Sequence, residues 1–285
     1  MNLFESEPLV IIGCHRSGTT LLSQLLERSG VFQGKNRDEN NESFFFMDIN
    51  QWIMRRAGGN WDWPEPTRLM LRDPKSREAI IEHVRAYTMR RIHPRFFGRN
   101  RFLNGTASGP SMPIWGWKDP RTTVTAEIWR SIFPQAKFIY VSRHGVDVAA
   151  SLMKRATTKR TLAKRFSGQL GQWMRPKLGR CELADSPRAT SLEGAFNIWR
   201  EYSRTASNLM DKVGESGITV AYEQLLEDPH EQVARISRLC ANQPLDPATS
   251  GTLDRSRSMA YRRDPELDRF ANSKAKELSE FGYDA

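Results

Sequence analysis

Three observations predict an α/β protein, a phosphate-loop-containing parallel β-sheet flanked by helices, in a single domain with helical excursions. A short apolar run ends in a glycine-bearing turn that passes into an amphipathic helix; a similar strand–loop–helix unit recurs twice downstream; and no repeat at a solenoid period and no low-complexity tract occurs.

Pro8 to Gly13 (PLVIIG) is continuously apolar and closed by glycine, the pattern of a strand buried on both faces of a parallel sheet. After a polar turn, Thr20 to Arg28 places Leu21, Leu22, Leu25 and Leu26 on one helical stripe. Ser43 to Ala57 reads as a helix, Asn60 to Pro66 as a Trp/Pro-rich loop, Ser76 to Arg91 as a second helix and Gly98 to Pro113 as a Gly/Pro-rich connection. Lys137 to Arg143 is the second strand, leading into a helix from Val146 to about Lys154. Gly217 to Tyr222 is the third, followed after Asp228-Pro229 by a helix from His230 to Cys240. Strands alternating with helices call for right-handed crossovers and a parallel sheet.

The 285 residues are 39% hydrophobic and 27% charged, which suits one well-cored domain over residues 1–285 and excludes a disordered or fibrous chain. A formal charge of +10 predicts an anionic partner: nucleic acid, an acidic surface or a phosphorylated small molecule. Between Lys154 and Arg188 ten basic residues meet only Glu182 and Asp185, so most of the excess sits there. With Phe166, Trp173 and Pro176 among them, residues 154–200 read as a basic excursion: a lid, an acceptor-binding segment or a solvated face. Cys14, Cys181 and Cys240 are too scattered for a disulfide framework or a zinc site. Acidic residues in the first ten positions and the lack of a span of roughly 20 apolar residues point to a cytoplasmic protein with no membrane span.

The turn after the first strand, Gly13-Cys14-His15-Arg16-Ser17-Gly18-Thr19-Thr20, has the G-x-x-x-x-G spacing of a loop whose amides cradle a phosphate at a helix N-terminus. A nucleotide-hydrolysing loop carries Lys directly after its second glycine; here Thr19 stands there and the cation has moved to Arg16. The loop is suited to hold a phosphate and poorly equipped to cleave a γ-phosphate. No G-x-G-x-x-G occurs, which disfavours dinucleotide redox chemistry. At the end of the second strand Arg143 is followed, two helical turns on, by Ser151, and the pair suggests a nucleotide phosphorylated at two ends.

These segments resemble the sulfotransferases that use 3′-phosphoadenosine 5′-phosphosulfate (PAPS), in particular the Golgi carbohydrate and protein-tyrosine branch. Gly13 to Leu22 matches their G-x-x-R-S-G-T-T-L-L loop, and Arg143 to Ser151 their Arg followed by D-V-A-x-S. Val220 to Pro229 matches a Y-E-x-L-x-x-x-P stretch, and Trp117 to Pro120 with Phe133 to Phe138 a K-D-P … F-P-x-A-K-F run. The resemblance implies that Arg16 and the backbone of Ser17, Gly18, Thr19 and Thr20 clasp the 5′-phosphosulfate, that Arg143 and Ser151 hold the 3′-phosphate, and that Tyr222 lies against the nucleotide; His15, inside the same loop, is a further candidate contact to the donor. His15 stands where the family usually has Pro, which leaves its role open. Arg257 and Arg262 are placed to reach the 3′-phosphate or belong to a solvated basic tail. Lys118 implies a contact to the sulfuryl oxygens, with a strand-end lysine in solvent as the other reading.

An acceptor hydroxyl needs a base. In the family it lies on the segment after the first helix, here Asp38 to Phe44; Glu42 is the first choice, Glu39 and His15 the others, and a helix cap built on Asn41 or Ser43 the competing use of that segment. The catalytic set is then Glu42, Lys118 and Arg16, with PAPS as donor, no metal, and a saccharide, lipid-linked sugar or small metabolite as acceptor; Trp52, Trp61, Trp63, Trp115 and Trp117 offer rings for stacking. Two rivals are a phosphate-loop kinase and a nucleic-acid-binding module; Thr19 counts against the first and the absence of a recognised nucleic-acid motif against the second.

Overall fold

Leu9–Gly13 is β1, and each of its residues is buried because the sheet is covered on both faces. It pairs in parallel with β2 (Gly116–Lys118) on one side and β3 (Lys137–Ser142) on the other, and β3 pairs with β4 (Gly217–Ala221), giving the order β2-β1-β3-β4. The register sets Val10 opposite Trp117 and Phe138, and Ile11 opposite Ile139. The computed structural model describes residues 6–98, 114–166, 186–240, 245 and 253–285, with side chains to 158 in the second stretch.

The described residues gather into two compact units, 1–143 with 202–258 and 144–201 with 259–285. The first holds the sheet. Alternate strand residues build two cores. Val10, Ile12, Trp117, Phe138 and Tyr140 face one built with α2 (Phe44–Arg56), α4 (Pro74–Ile92), α5 (Thr122–Ile132) and the end of α7 (Leu192–Val213). Leu9, Ile11, Ile139, Val141 and Val220 face another, covered by Leu22, Leu25 and Leu26 of α1 (Thr19–Arg28), by Leu225 of α8 (Tyr222–Glu227) and by Val233 and Ile236 of α9 (Pro229–Leu239). The predicted stripe on α1 is thus used, although Leu21 is only half-buried.

Trp115 and Trp117 fill the first core, the latter stacked on Phe46 with ring centroids 3.9 Å apart. Trp61 is buried too; of the five tryptophans suggested as stacking platforms only Trp63, 58% exposed, lies open, and Trp52 is half-buried. The predicted Asn60–Pro66 loop gives way at Glu65 to α3 (Glu65–Arg72), and Asp73, accepting from Ser76 N, caps α4.

The second unit contains α6 (Gly145–Phe166), longer than the predicted helix, the first turns of α7, and α10 (Pro265–Ser273) and α11 (Ala275–Ser279). Asp147 fastens it, its carboxylate accepting the backbone N–H of Ala260 at 3.2 Å and of Tyr261 at 2.9 Å, while the His144 ring stacks on Tyr261 at 4.1 Å. No helix among the described residues is long and apolar enough to cross a membrane.

Candidate active site

The chain steps from β1 to β2 on one side and then to β3 on the other, so the carboxyl ends of β1 and β3 flank the switch point of the sheet, where open α/β sheets take ligands. Residues 14–18 leave β1 there and enter α1. Arg16 takes a left-handed φ of 71°, a conformation that costs a non-glycine residue about 1–3 kcal/mol and persists only where its surroundings hold it. Thr123 Oγ1 accepts from Gly13 N at 3.0 Å and donates to Gly13 O at 3.1 Å, Ser17 N donates to Cys14 O at 3.2 Å, and Arg143 Nη1 donates to Arg16 O at 3.2 Å.

Gly18 has a φ of 99°, and a Cβ on it would lie 2.2 Å from Cδ2 of Tyr222. Only glycine lets this buried ring close on the loop. The Arg143 guanidinium lies 4.4 Å from the centroid of Tyr222 and donates through Nη2 to the Arg257 carbonyl at 2.8 Å. Arg143 therefore ties together the loop, Tyr222 and the backbone at 257. The side chain of Arg257 is exposed and pairs with Asp254 at 3.4 Å.

Within the loop the Ser17 hydroxyl is buried and makes no hydrogen bond among the described residues, and Thr19 is buried beside it. No acid occupies the first turn of α1, so the positive end of the helix is uncompensated there. A buried hydroxyl without a partner, at a helix N-terminus, is an arrangement that an incoming oxyanion satisfies. The Arg16 side chain is exposed. His15 turns inward, edge-on to Trp61 at 4.8 Å and to Tyr202 at 6.1 Å, while Tyr202 donates to the Trp61 carbonyl at 2.8 Å.

The turn before α2 carries Glu42 into the interior. Asp38 Oδ1 accepts the N–H groups of Asn40 at 2.9 Å and of Glu42 at 2.7 Å, Asn41 adopts a φ of 61°, and Thr20 Oγ1 donates to Asn40 O at 3.1 Å, joining the turn to α1. Glu42 Oε1 accepts from Lys118 Nζ at 3.2 Å and Oε2 from Arg121 Nη1 at 2.8 Å. Arg121 Nη1 also donates to Asp119 Oδ1 at 2.8 Å, and Asn50 Nδ2 to Asp119 Oδ2 at 2.7 Å. Ser43 occupies the N-cap position of α2 without a side-chain cap bond, so the acid of this segment is engaged with cations rather than with the helix.

Two cations and two carboxylates thus share a buried site that is neutral as a set. Burial alone would push the Glu42 carboxyl up; Lys118 and Arg121 outweigh it and hold the group below its ordinary value of 4.5. For Asp119 burial wins, with Glu42 adding to it and Arg121 and Asn50 offsetting only part, so its carboxyl sits above the usual range. Burial opposes the charge on Arg121, and the two carboxylates more than restore it.

Sequence reasoning picked Glu42 and Lys118 separately, and the structure brings them into one ion pair. It missed Arg121, Asp119, Asn50 and Thr123. Arg121 follows the Lys118-Asp119-Pro120 run directly, but nothing in that run points to a carboxylate 79 positions earlier. Ser151, half-buried on α6, and Arg262, exposed with Nε on the Tyr261 hydroxyl at 3.1 Å, belong to the second unit. Glu39 is exposed. Residues 167–185 of the basic excursion, and the side chains of Lys159, Arg160, Lys164 and Arg165, lie outside the described residues. Among the described residues no group of three or more His, Cys, Asp or Glu is placed to hold a metal ion.

The family model described as the sulfotransferase family matches residues 8–245. Among solved structures the chain is similar to the sulfotransferase domain from the curacin biosynthetic pathway (16% identity, 94% of this chain and 96% of that one, TM-score 0.49). It is also similar to a sulfotransferase from Alicyclobacillus acidocaldarius (13%, 97% and 94%, TM-score 0.49) and to the sulfotransferase domain of the Synechococcus PCC 7002 olefin synthase (17%, 98% and 96%, TM-score 0.47). No curated protein sequence matches it.

Proposed function

The chain belongs to the sulfotransferase family, and from that premise we propose that it moves a sulfuryl group from PAPS to a hydroxyl of a carbohydrate or small metabolite, releasing adenosine 3′,5′-bisphosphate. The observation that carries this reading is the loop at the switch point, with its buried, unbonded Ser17 hydroxyl and with Thr19 in place of the lysine of a nucleotide-hydrolysing loop. Ser17, Gly18, Thr19 and Thr20 hold the 5′-phosphosulfate, Arg16 neutralises the oxygen that leaves, Arg143 takes the 3′-phosphate, and Tyr222 supports the nucleotide.

In the transfer the acceptor oxygen forms its bond to sulfur as the bond from sulfur to the phosphate oxygen breaks, and the acceptor proton passes to the Glu42 carboxylate. Held by two cations, Glu42 is a weak base. When Lys118 Nζ turns from Glu42 to the sulfuryl oxygens, Glu42 loses one of its cations and becomes more basic, so donor binding arms the base. Lys118 meanwhile spreads its N–H groups over a transferring group whose charge is shared among three oxygens, as in phosphoryl transfer.

Calorimetry with adenosine 3′,5′-bisphosphate tests the reading. Saturable binding is expected without Mg²⁺; no binding refutes the PAPS assignment, and tighter binding of ATP with Mg²⁺ favours a kinase. Arg143→Ala is expected to weaken nucleotide binding, and Lys118→Ala to lower turnover mainly.

A further inference from the structure

A second charged feature of the sheet-bearing unit plays no part in donor binding as described above. The outer surfaces of α3, α5 and α7, with the first turn of α4, enclose a cleft of about 590 Å³, a size in the range of roughly 300–1,000 Å³ usual for small-molecule sites. Arg68, Arg72, Arg77, Arg204 and Lys212 line it, against the acids Glu65 and Glu127. Both acids are engaged, Glu65 with Arg68 at 2.7 Å and Glu127 with Lys212 at 2.5 Å. Cations outnumber acids by three in a concave site, which focuses a positive field on whatever enters.

The walls of the cleft lead to the phosphate loop. Thr123, on the α5 wall, is the residue whose hydroxyl bonds Gly13 on both its N–H and its carbonyl. On α7, Tyr202 lies against His15 of the loop, and Arg204 and Thr205 follow it into the cleft. Arg68 Nη1 donates to Thr205 Oγ1 at 3.0 Å and so braces α3 on α7.

We propose that this cleft binds an anionic group of the acceptor, a phosphate, sulfate or carboxylate carried on the molecule whose hydroxyl receives the sulfuryl group. The inference rests on the sulfuryl-transfer reading above and narrows the acceptor from any hydroxylated molecule to an acidic one. The positive field recruits the acceptor, and its anionic group, seated among Arg72, Arg77 and Arg204, fixes the distance from which its hydroxyl reaches the donor.

The test uses the full chain, saturated with adenosine 3′,5′-bisphosphate, titrated with inorganic pyrophosphate by calorimetry. One further saturable site is expected, weakened at least tenfold by the double variant Arg72→Gln/Arg77→Gln and unchanged by Arg90→Gln/Arg91→Gln, which removes two exposed cations of α4 outside the cleft. No binding to the saturated protein, or equal weakening in both double variants, overturns the proposal. If adenosine 3′,5′-bisphosphate itself fails to bind, the donor reading falls, and the same comparison on the unliganded protein still decides whether the cleft takes anions. Loss of sulfate from PAPS to water, measured with and without pyrophosphate, separates the sources: an unchanged rate fits an acceptor subsite, and a changed rate assigns the cleft to a free anionic effector and overturns the acceptor assignment.

Discussion

Replacing Glu42 with Gln removes one charge from a buried four-charge set and keeps the volume. Lys118, 1% exposed at its side chain, then loses its carboxylate, and Arg121, 10% exposed, keeps only Asp119. Removing one partner of a buried ion pair costs about 3–5 kcal/mol, because the remaining charge stays out of water. At roughly 2–4 °C per kcal/mol for a chain of this order of size, the melting temperature of the sheet-bearing unit falls by about 6 °C or more. Thermal unfolding followed by circular dichroism measures this. The double variant Glu42→Gln/Lys118→Met is expected to cost less than the sum of the two single changes, by about 0.5–3 kcal/mol, since it removes both charges of one pair. A loss below about 1 kcal/mol for Glu42→Gln, or strict additivity in the double variant, refutes the picture of a mutually dependent cluster. A folded Glu42→Gln enzyme that keeps full turnover refutes its role as base.

Ser17→Ala deletes a buried hydroxyl that bonds nothing among the described residues, so stability is expected to stay within about 1 kcal/mol while affinity for adenosine 3′,5′-bisphosphate or turnover with PAPS falls about tenfold; a stability loss without a binding loss refutes the oxyanion role. Gly18→Ala drives a methyl into the Tyr222 ring and forces a φ of 99° on alanine, and is expected to weaken nucleotide binding measured by calorimetry; combining it with Tyr222→Ala relieves the clash but leaves the backbone cost, so recovery is partial. Because the Glu42 carboxyl is held below 4.5, the stability it contributes is complete above that value and is lost as pH falls through the lower, folded value; melting temperature against pH should show no loss from this group above about pH 5 and a decline below 4.5.

Much of the frame was legible from local pattern. PLVIIG and KFIYVS announce themselves as strands because sheet residues buried on both faces must be continuously apolar, or nearly so; GITVA, on the edge of the sheet with Thr219 exposed, is marked instead by its β-branched run Ile218-Thr219-Val220. β2 was not legible: Gly116–Lys118 is three residues with one apolar side chain, and it is a strand only because it lies beside Leu9–Ile11. α5 escaped for a related reason. TTVTAEIWRSI starts with threonines and a valine, weak helix formers, and its helicity comes from burial of Val124, Ala126, Ile128, Trp129 and Ile132.

The site divides in the same way. Sequence alone was enough to point to the family and to nominate the loop after β1, because the spacing of its glycines and hydroxyls is written in a few neighbouring residues. It also nominated Glu42 and Lys118 one at a time. Only the tertiary structure decided that these two are paired, that Arg121 and Asp119 complete the pairing, and that Thr123 holds the base of the loop, since each of these bonds joins residues whose separation along the chain carries no signal. Their cost in desolvation is met only where the fold brings opposite charges within hydrogen-bond reach in the same dry place.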